Sequence, residues 1–320
     1  MKKKKIRVSK TSKIILVLLV VLGFIAYGAK KVYDEYQYKK TYEYKLTEKG
    51  YSLKEAENIL KLFSNKRVEY ILSLNKNENI YKLAEEKYYI DSKLEEYLAF
   101  LEENEELTLT DVITLVNVNR HHEFYEKDIE TTDKSNTMIV NKYYVLKDDY
   151  VPDNLAIIPT THSWGAYGEN QATADTVNAF MNMAQAAATE GINLMVNSSY
   201  RDYADQDRVY KLYEDSYGKE YADNIAARPG HSEHQSGYAL DIFSTDSTSQ
   251  KTFAESNAYA WLKQNCYKYG FIIRYPEGKE NITGFNFESW HYRYVGVEIA
   301  TYIQENDITY DEYYAYYLQK

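Results

Sequence analysis

The chain has 320 residues, of which 44% are hydrophobic and 27% are charged, so most of it is expected to be globular rather than disordered. The first 13 residues carry seven Lys and Arg side chains and no acid, which leaves 31 basic and 48 acidic residues, a net charge of −17, in the remainder. Because nucleic-acid binding depends on clustered Lys and Arg, a body this acidic argues against a nucleic-acid partner.

An apolar segment follows the basic tail. Residues 14–29, IILVLLVVLGFIAYGA, contain no charged side chain, and Lys13 and Lys30 flank them. The run is slightly short for a span of about 20 residues, but flanking lysines can snorkel to the interfaces. A cleaved signal peptide has a similar pattern, yet no small-x-small cleavage site is visible. The sequence favours an uncleaved single-pass anchor in the cell membrane over residues 1–30, with the following domains on the extracellular face.

Residues 31–135 are predicted to form a helical stalk domain. No proline occurs before Pro152. The segments SLKE at 52–55 and SKLE at 92–95 match the capping box, in which a Ser hydroxyl and a Glu carboxylate satisfy the amides at a helix start. Residues 107–117 are predicted as the last helix of this domain. This domain could be a spacer that holds the active site away from the bilayer or a binding site for a partner protein, and the sequence leaves both alternatives open.

From residue 136 onward, strands and helices alternate irregularly. Strands are predicted at 137–146, 192–197, 238–243, 271–274 and 287–294, and helices at 172–191, 202–218 and 255–270. Gly191 and Gly218 stand at positions typical of helix C-caps. This order predicts an α+β fold over residues 136–320, with a small, mainly antiparallel sheet and flanking helices.

Some residues with reactive side chains are not expected to take part in catalysis or metal binding. Cys266 is the single cysteine, which excludes an internal disulfide, and its helical surroundings predict a small core residue rather than a nucleophile. His121 and His122 are adjacent and would point to different sides of a regular element, so we expect them at the surface.

Three other residues suggest a metal site. Asp241 lies among apolar residues of a predicted strand, where a carboxylate needs a cation, a hydrogen-bond network or exposure on an edge strand. His234 and His291 could complete it, because a catalytic zinc site takes three N or O ligands and leaves one position for water. Glu288 precedes His291 by three residues. In a regular strand these two side chains would face opposite ways, so a bulge, a twist or a helical turn is required there.

Three segments also match family signatures in their expected order. SSYRDYADQ at 198–206 is similar to an S-x-Y-R segment followed by glutamine, SEHQSGYALD at 232–241 fits S-x-H-x-x-G-x-A-x-D, and ESWH at 288–291 fits E-x-x-H. With these segments the chain resembles the VanY-type D-alanyl-D-alanine metallo-carboxypeptidases, which belong with the hedgehog-like zinc peptidases. The resemblance covers about residues 138–300. It implies the fold of that family for the domain at 136–320. It does not cover the predicted transmembrane helix and stalk, which precede this domain.

The resemblance also implies roles for single residues. His234, Asp241 and His291 would bind one Zn²⁺ ion. Glu288 would be the catalytic base for zinc-bound water. Arg201 would stabilise the polarised carbonyl and the tetrahedral intermediate.

Other positions near the predicted ligands are assigned less directly. Gln206 and Ser232 fall where the family makes substrate contacts. His231 occupies a variable position, but with His234 it creates an H-x-x-H pair, so it remains an alternative zinc ligand.

The implied activity is removal of the C-terminal D-alanine from peptidoglycan stem peptides that end in D-Ala-D-Ala. Two enzymatic alternatives share the chemistry: an L,D-carboxypeptidase acting on tetrapeptide stems, and an endopeptidase that cuts crosslinks and needs a cleft open at both ends. A zinc-containing cell-wall binding protein without activity is a further alternative. Glu288 and Arg201 argue against it, because a structural zinc site needs neither.

Overall fold

The structure is a computed structural model that describes residues 10–164 and 169–319, without the side chains of residues 11–17. The chain divides into two compact units, one up to Thr110 and the other from Asp111 onward. Residues 1–9, which make up most of the predicted basic tail, lie outside the described residues.

The first unit consists of helices, as the sequence predicted. They are α1 Lys10–Tyr38, α2 Tyr42–Glu48, α3 Leu53–Leu62, α4 Asn65–Ser73, α5 Asn79–Glu85 and α6 Leu94–Glu103, and α7 Leu109–Asn117 spans the division between the units. Helices α2 to α6 each bury one apolar stripe in a shared core, which contains Leu46, Ala56, Ile59, Val68, Ile71, Ile80, Leu83, Leu94 and Tyr97.

One of the two predicted capping boxes is present. Ser52 Oγ accepts from the Glu55 amide at 3.3 Å, and the Ser52 amide donates to the Glu55 carboxylate at 2.6 Å. The second prediction was wrong, because Ser92 lies inside a 3₁₀ turn, Asp91–Lys93, and α6 begins only after it. Arg67 fixes this turn by donating to the carboxylate and the carbonyl of Asp91.

Helix α1 contains the segment that we predicted as a membrane anchor. Its described side chains from Leu18 to Tyr38 are exposed, and four residues of the apolar run, 14–17, have side chains outside the description. Within residues 10–164 and 169–319, no helix has the length and apolar character needed to cross a membrane. The predicted anchor is therefore not confirmed.

The second unit is built on a four-stranded sheet. Its strands are β5 Leu194–Ser198, β6 Ala239–Ser244, β7 Phe271–Ile273 and β8 His291–Tyr294, in the spatial order β5-β6-β8-β7, and every neighbouring pair is antiparallel. Two small sheets accompany it, a parallel pair β1 Ile129–Glu130 with β2 Tyr144–Val145 and an antiparallel pair β3 Leu155–Ile157 with β4 Gln171–Thr173. The predicted α+β fold with a small, mainly antiparallel sheet is confirmed.

Helices cover this sheet. They are α8 Ala174–Thr189, α9 Tyr203–Tyr217, α10 Lys219–Ile225, α11 Gln250–Phe253, α12 Asn257–Asn265, α13 Glu280–Thr283, α14 Val297–Asn306 and α15 Tyr310–Tyr313. Gly191 and Gly218 follow α8 and α9 with φ of +79° and +87°, as their predicted C-cap positions require. The main core includes Phe180, Met183, Leu240, Ile242, Leu262, Phe271 and Tyr292. Cys266 is buried in the same core, and burial raises the pKa of its thiol to about 12, so its predicted core role is confirmed.

The predicted strand at 137–146 is present only as its last part, β2. Met138, Ile139 and Val140 are all buried, so the segment is covered on both sides. The Met138 carbonyl accepts from Arg293 Nη2 at 2.7 Å, a bond to a side chain instead of a neighbouring strand. Burial on both faces is enough to account for the apolar residues of this segment. Their presence therefore does not require the segment to pair as a strand.

Residues between α7 and β2 pack within the second unit, although the sequence placed residues up to 135 in the stalk. Arg120 Nε donates to the Asn281 carbonyl at 2.6 Å, and the Phe124 ring contacts Tyr143. His121 and His122 lie here with rings 3.9 Å apart, and both are half-buried rather than fully at the surface.

Candidate active site

The three predicted metal ligands meet where the start of β8 pairs with the middle of β6. Asp241 lies in β6, and its direct partner across the antiparallel pair is His291, the first residue of β8. His234 lies in the 3₁₀ turn Glu233–Ser236 that precedes β6. Asp241 Oδ1 is 3.4 Å from His234 Nε2 and 3.2 Å from His291 Nδ1. One ligand atom from each residue falls within 4.8 Å of the others, which is close enough to share one ion.

The chain needs a glycine where this turn enters β6. Gly237 has φ of +72°, and a Cβ there would lie 3.0 Å from Pro152 Cγ and 3.2 Å from Thr173 Cγ2. Its carbonyl also accepts from the Thr173 amide at 2.9 Å. The left-handed conformation and the close neighbours fix the path from His234 to Asp241.

Hydrogen bonding orients the ring of His234. Its Nδ1 lies 2.7 Å from the Ser199 carbonyl, which can only accept, so Nδ1 carries the proton and Nε2 presents its lone pair to the cluster. Burial lowers the pKa of His234 to about 4, which keeps the ring neutral, as a ligand must be.

The donor set fits a zinc ion. Burial raises the pKa of Asp241, but His234 and His291 outweigh that effect and hold it well below its usual range, so the carboxylate is charged. Within the described part of the chain, Asp241 Oδ1 is buried and has no hydrogen-bonding partner. A buried anionic oxygen between two imidazole nitrogens is suited to bind a cation, and two histidines with one carboxylate form a ligand set typical of catalytic zinc.

Glu288 lies in a turn just before β8. Its amide donates to the Tyr275 carbonyl at 3.0 Å, and residues 289–290 complete the turn that leads to His291. The alternation of a strand therefore does not apply between Glu288 and His291, and Glu288 Oε2 is 3.8 Å from His291 Nδ1. Burial raises the pKa of Glu288 to about 8, which suits a proton acceptor that works near neutral pH.

Arg201 reaches the same cluster from the loop after β5. Its amide donates to the His234 carbonyl at 3.2 Å, and Nη2 lies 3.9 Å from Asp241 Oδ2. Nη1 donates to Gln206 Oε1 at 2.7 Å, and Gln206 Nε2 donates to the Ala227 carbonyl at 2.7 Å. Gln206 is buried in α9, so it holds the guanidinium in a fixed place beside the ligands.

Ser232 lies at the start of the His234 turn. Its hydroxyl accepts from the His234 amide at 3.3 Å, and the residue lines the cavity over the cluster. Its predicted contact with substrate remains a prediction, as does that of Gln206, which lines the same cavity.

His231 points elsewhere. Its Nδ1 donates to the Asn141 carbonyl at 2.8 Å, Nε2 lies 3.3 Å from Asp128 Oδ1, and Tyr125 packs edge-on against the ring. Both nitrogens are thus directed to other partners, so the geometry favours His234 as the ligand over His231.

A cavity of about 450 Å³ opens above the cluster. Its floor contains the three ligands, Glu288 and Arg201, and its walls carry the aromatic residues Tyr213, Tyr221, Tyr275, Phe285, Phe287 and Trp290. The pocket thus combines charged and polar groups with aromatic side chains, as sites for small substrates commonly do.

Sequence reasoning missed one residue beside the cluster. Glu233, at the variable second position of the S-x-H signature, is fully buried with its carboxylate near His291 Nε2. The neighbouring sequence does not indicate that Glu233 is buried, because the two arginines that pair with it come 41 and 60 residues later. They are Arg274 and Arg293.

Comparisons with known proteins show which family this chain is similar to. A family model described as VanY, D-alanyl-D-alanine carboxypeptidase, matches residues 169–297. YodJ of Bacillus subtilis, a protein named as a carboxypeptidase, is 36% identical over 201 residues, which are 59% of this chain and 74% of that protein. VanXYC of Enterococcus gallinarum, named as a bifunctional D-Ala-D-Ala dipeptidase and carboxypeptidase, is 30% identical over 185 residues, 57% of this chain and 94% of that protein.

A solved structure is similar in fold as well as in sequence. The LdcB LD-carboxypeptidase is 36% identical, covers 58% of this chain and 89% of its own, and superposes with a TM-score of 0.54. The resemblance that we drew from three short segments is thus confirmed over most of the length of two relatives. The chain belongs to the VanY family of D-alanyl-D-alanine carboxypeptidases and is a hydrolase of that family.

Proposed function

We propose that this protein is a zinc-dependent carboxypeptidase that removes the C-terminal D-alanine from peptidoglycan stem peptides ending in D-Ala-D-Ala. One observation carries the proposal: the ligand set His234, Asp241 and His291 shares the floor of a cavity with Glu288 and Arg201. The name of VanXYC, which covers D-Ala-D-Ala carboxypeptidase activity, supports the choice of substrate.

The three ligands would hold one zinc ion. Bound there, zinc would act as a Lewis acid that lowers the pKa of water toward about 7 and polarises a carbonyl. Glu288 Oε2 accepts the proton of the attacking water and returns it to the amine of the departing D-alanine. The Arg201 guanidinium donates to the carbonyl oxygen as negative charge develops on it.

Ser232 and Gln206 complete the proposed site. We propose that Ser232 contacts the bound peptide, because it lines the cavity next to His234. Gln206 lines the same cavity, and both ends of its amide are engaged, by Arg201 and by the Ala227 carbonyl. We therefore propose that it acts on substrate mainly by holding Arg201.

A second candidate is cleavage of an L,D bond in tetrapeptide stems. It is favoured by the similarity to the LdcB LD-carboxypeptidase, which has the same overall sequence identity to this chain as YodJ. The ligand set and Glu288 serve both reactions, because the attacked carbonyl and the leaving D-alanine are alike.

Release of D-alanine separates these candidates. The purified protein, with and without a chelator, would be incubated with muramyl pentapeptide and with muramyl tetrapeptide. We expect D-alanine from the pentapeptide, loss of release with chelator and recovery with added zinc. Release from the tetrapeptide alone would establish the L,D activity instead. Cleavage of crosslinked dimers without D-alanine release from either peptide would identify an endopeptidase.

We also propose that the N-terminal segment anchors the protein in the cell membrane with the second unit outside the cell. A substrate in the cell wall supports this location, and so do the apolar side chains of α1 such as Phe24, which is 72% exposed. Fractionation of cells, followed by protease treatment of intact cells, tests it. Recovery of the protein in the soluble fraction, or protection of the second unit from protease, would contradict it.

A further inference from the structure

The carboxylate of Glu233 lies behind the metal cluster rather than in it. Glu233 directly precedes His234, yet its side chain is fully buried and extends toward β7 and β8. Oε1 accepts from Arg274 Nε at 2.8 Å and from Arg293 Nη1 at 3.0 Å. Two donors on one oxygen fix the orientation of the carboxylate.

A second carboxylate balances the charge of these arginines. Asp311 in α15 accepts from Arg274 Nη1 at 2.6 Å and from Nη2 at 3.1 Å. Two arginines and two carboxylates form a buried network without net charge. In such a network each charge depends on its partners, because an unpaired charge in the interior is costly.

The other oxygen of Glu233 faces His291. Oε2 lies 3.5 Å from His291 Nε2. Within the described residues, each of these two atoms is buried and has no hydrogen-bonding partner, so the two face each other with neither engaged elsewhere. His291 Nδ1 lies on the opposite edge of the ring, 3.2 Å from Asp241 Oδ1. Turning the ring over would place carbon atoms against both carboxylates, so the observed orientation is the one that gives both oxygens a nitrogen.

From this geometry we infer that Glu233 is a positioning residue for His291: it holds the proton on Nε2 and thereby keeps the lone pair of Nδ1 directed at the metal. A carboxylate behind a metal-bound histidine commonly fixes the tautomer and orientation of the ring. Glu233 does not touch substrate in this arrangement, and Glu288, on the Nδ1 side of the ring, keeps the proton-transfer role. The inference rests on the metal site of the proposed function.

The variant Glu233→Gln tests the inference sharply. The oxygen that accepts from both arginines must remain an oxygen, so the new amide NH₂ would take the place of Oε2. It would then donate to His291 Nε2 and shift the ring proton to Nδ1, the atom that must bind metal. We expect the affinity for zinc to fall by about 10- to 100-fold.

Asp311→Asn is the matched control. It also removes one carboxylate charge from an arginine of the same network. Among the described residues, the hydrogen bonds of the Asp311 carboxylate go to Arg274 and Asn141 rather than to His291. Zinc affinity would be measured by competition with a chromophoric chelator, and thermal unfolding of the metal-free proteins would be followed in parallel. We expect both variants to unfold at lower temperature and only Glu233→Gln to lose zinc affinity. An equal loss of affinity in both would overturn the inference, since the loss would then follow network stability.

The tautomer of His291 can be read without any variant, should Glu233→Gln fail to fold. Long-range ¹H–¹⁵N spectra of the ¹⁵N-histidine-labelled metal-free protein, recorded above the pH at which His291 titrates, distinguish a proton on Nε2 from one on Nδ1. A proton on Nε2 is expected, and a proton on Nδ1 would overturn the inference. Wild-type protein that binds zinc but releases no D-alanine would refute the proposed function alone, whereas unchanged zinc binding by Glu233→Gln would refute only the role of Glu233.

Discussion

Asp241 and His291 are direct partners in adjacent antiparallel strands, and Asp241 Oδ1 lies 3.2 Å from His291 Nδ1. The backbone register of β6 and β8 therefore sets the spacing of two of the three proposed metal ligands. A slip of one residue would turn Asp241 to the other face of the sheet and destroy the cluster. Only His234 depends on the turn before β6.

Zinc affinity is expected to depend on pH through His291. Burial disfavours its charged form, but the nearby carboxylates of Asp241 and Glu233 outweigh burial and raise its pKa to about 9 in the metal-free protein. Zinc must displace that proton, so the apparent affinity should rise by about tenfold per pH unit through the neutral range. Zinc titrations in metal buffers at several pH values measure this slope. An affinity that is constant above neutral pH would show that His291 has an ordinary pKa.

The variant Glu288→Gln is expected to bind zinc and to lose activity. The amide cannot accept the proton of water, and a general base contributes about 10²- to 10⁴-fold to a rate. Release of D-alanine should fall by that factor, while the zinc content measured by elemental analysis stays at the wild-type level. Equal release by the variant and the parent would exclude Glu288 as the base.

Arg201→Ala should lower kcat by about 10²- to 10³-fold, as expected for loss of a donor to the developing oxyanion. Gln206→Leu removes the bond that holds the guanidinium and leaves the Ala227 carbonyl without its donor. We expect a smaller fall in kcat and a loss of about 1–3 kcal/mol in the free energy of unfolding. Steady-state kinetics and urea unfolding measure the two effects. Full kcat in Gln206→Leu would show that Arg201 needs no such support.

Gly284→Ala should destabilise the second unit through packing as well as backbone strain. Gly284 has φ of +77°, and a Cβ there would overlap the Phe124 ring. Gly191→Ala is the control, because it has φ of +79° and open space around it. The backbone conformation costs about 1–2 kcal/mol at each position, and overpacking adds about 1–3 kcal/mol at Gly284. Equal losses in chemical unfolding would contradict the close contact with Phe124.

The sequence was most informative where chemistry fixes residue types. A buried carboxylate in a predicted strand and two histidines in signature segments predicted the cluster, because few arrangements other than a cation satisfy Asp241 in a central strand. The edge-strand alternative was wrong, since β6 pairs with β5 and β8 on both sides. Glu288 and His291 can face the same cluster because a turn lies between them and β8 begins only at His291.

Long-range partners were beyond the reach of local patterns. Glu233 follows Ser232 in a signature, and a charged residue there would ordinarily be expected at the surface. The two arginines that pair with it come from β8 and from the residue after β7. Met138 was assigned to a strand because its segment alternates like one, but its carbonyl accepts from a side chain of β8. Pairing between distant segments decides both cases, and a single sequence carries no signal for it.

The buried network has a consequence for the order in which the chain becomes complete during synthesis. Every signature residue has been synthesised once His291 is added, but Asp311 follows 20 residues later and supplies the second carboxylate for Arg274. A truncation between these two positions would keep all recognisable signatures and still leave a buried arginine short of a counter-charge. Gene fragments that end there would be identified as peptidases by their motifs and yet would encode a domain of lower stability.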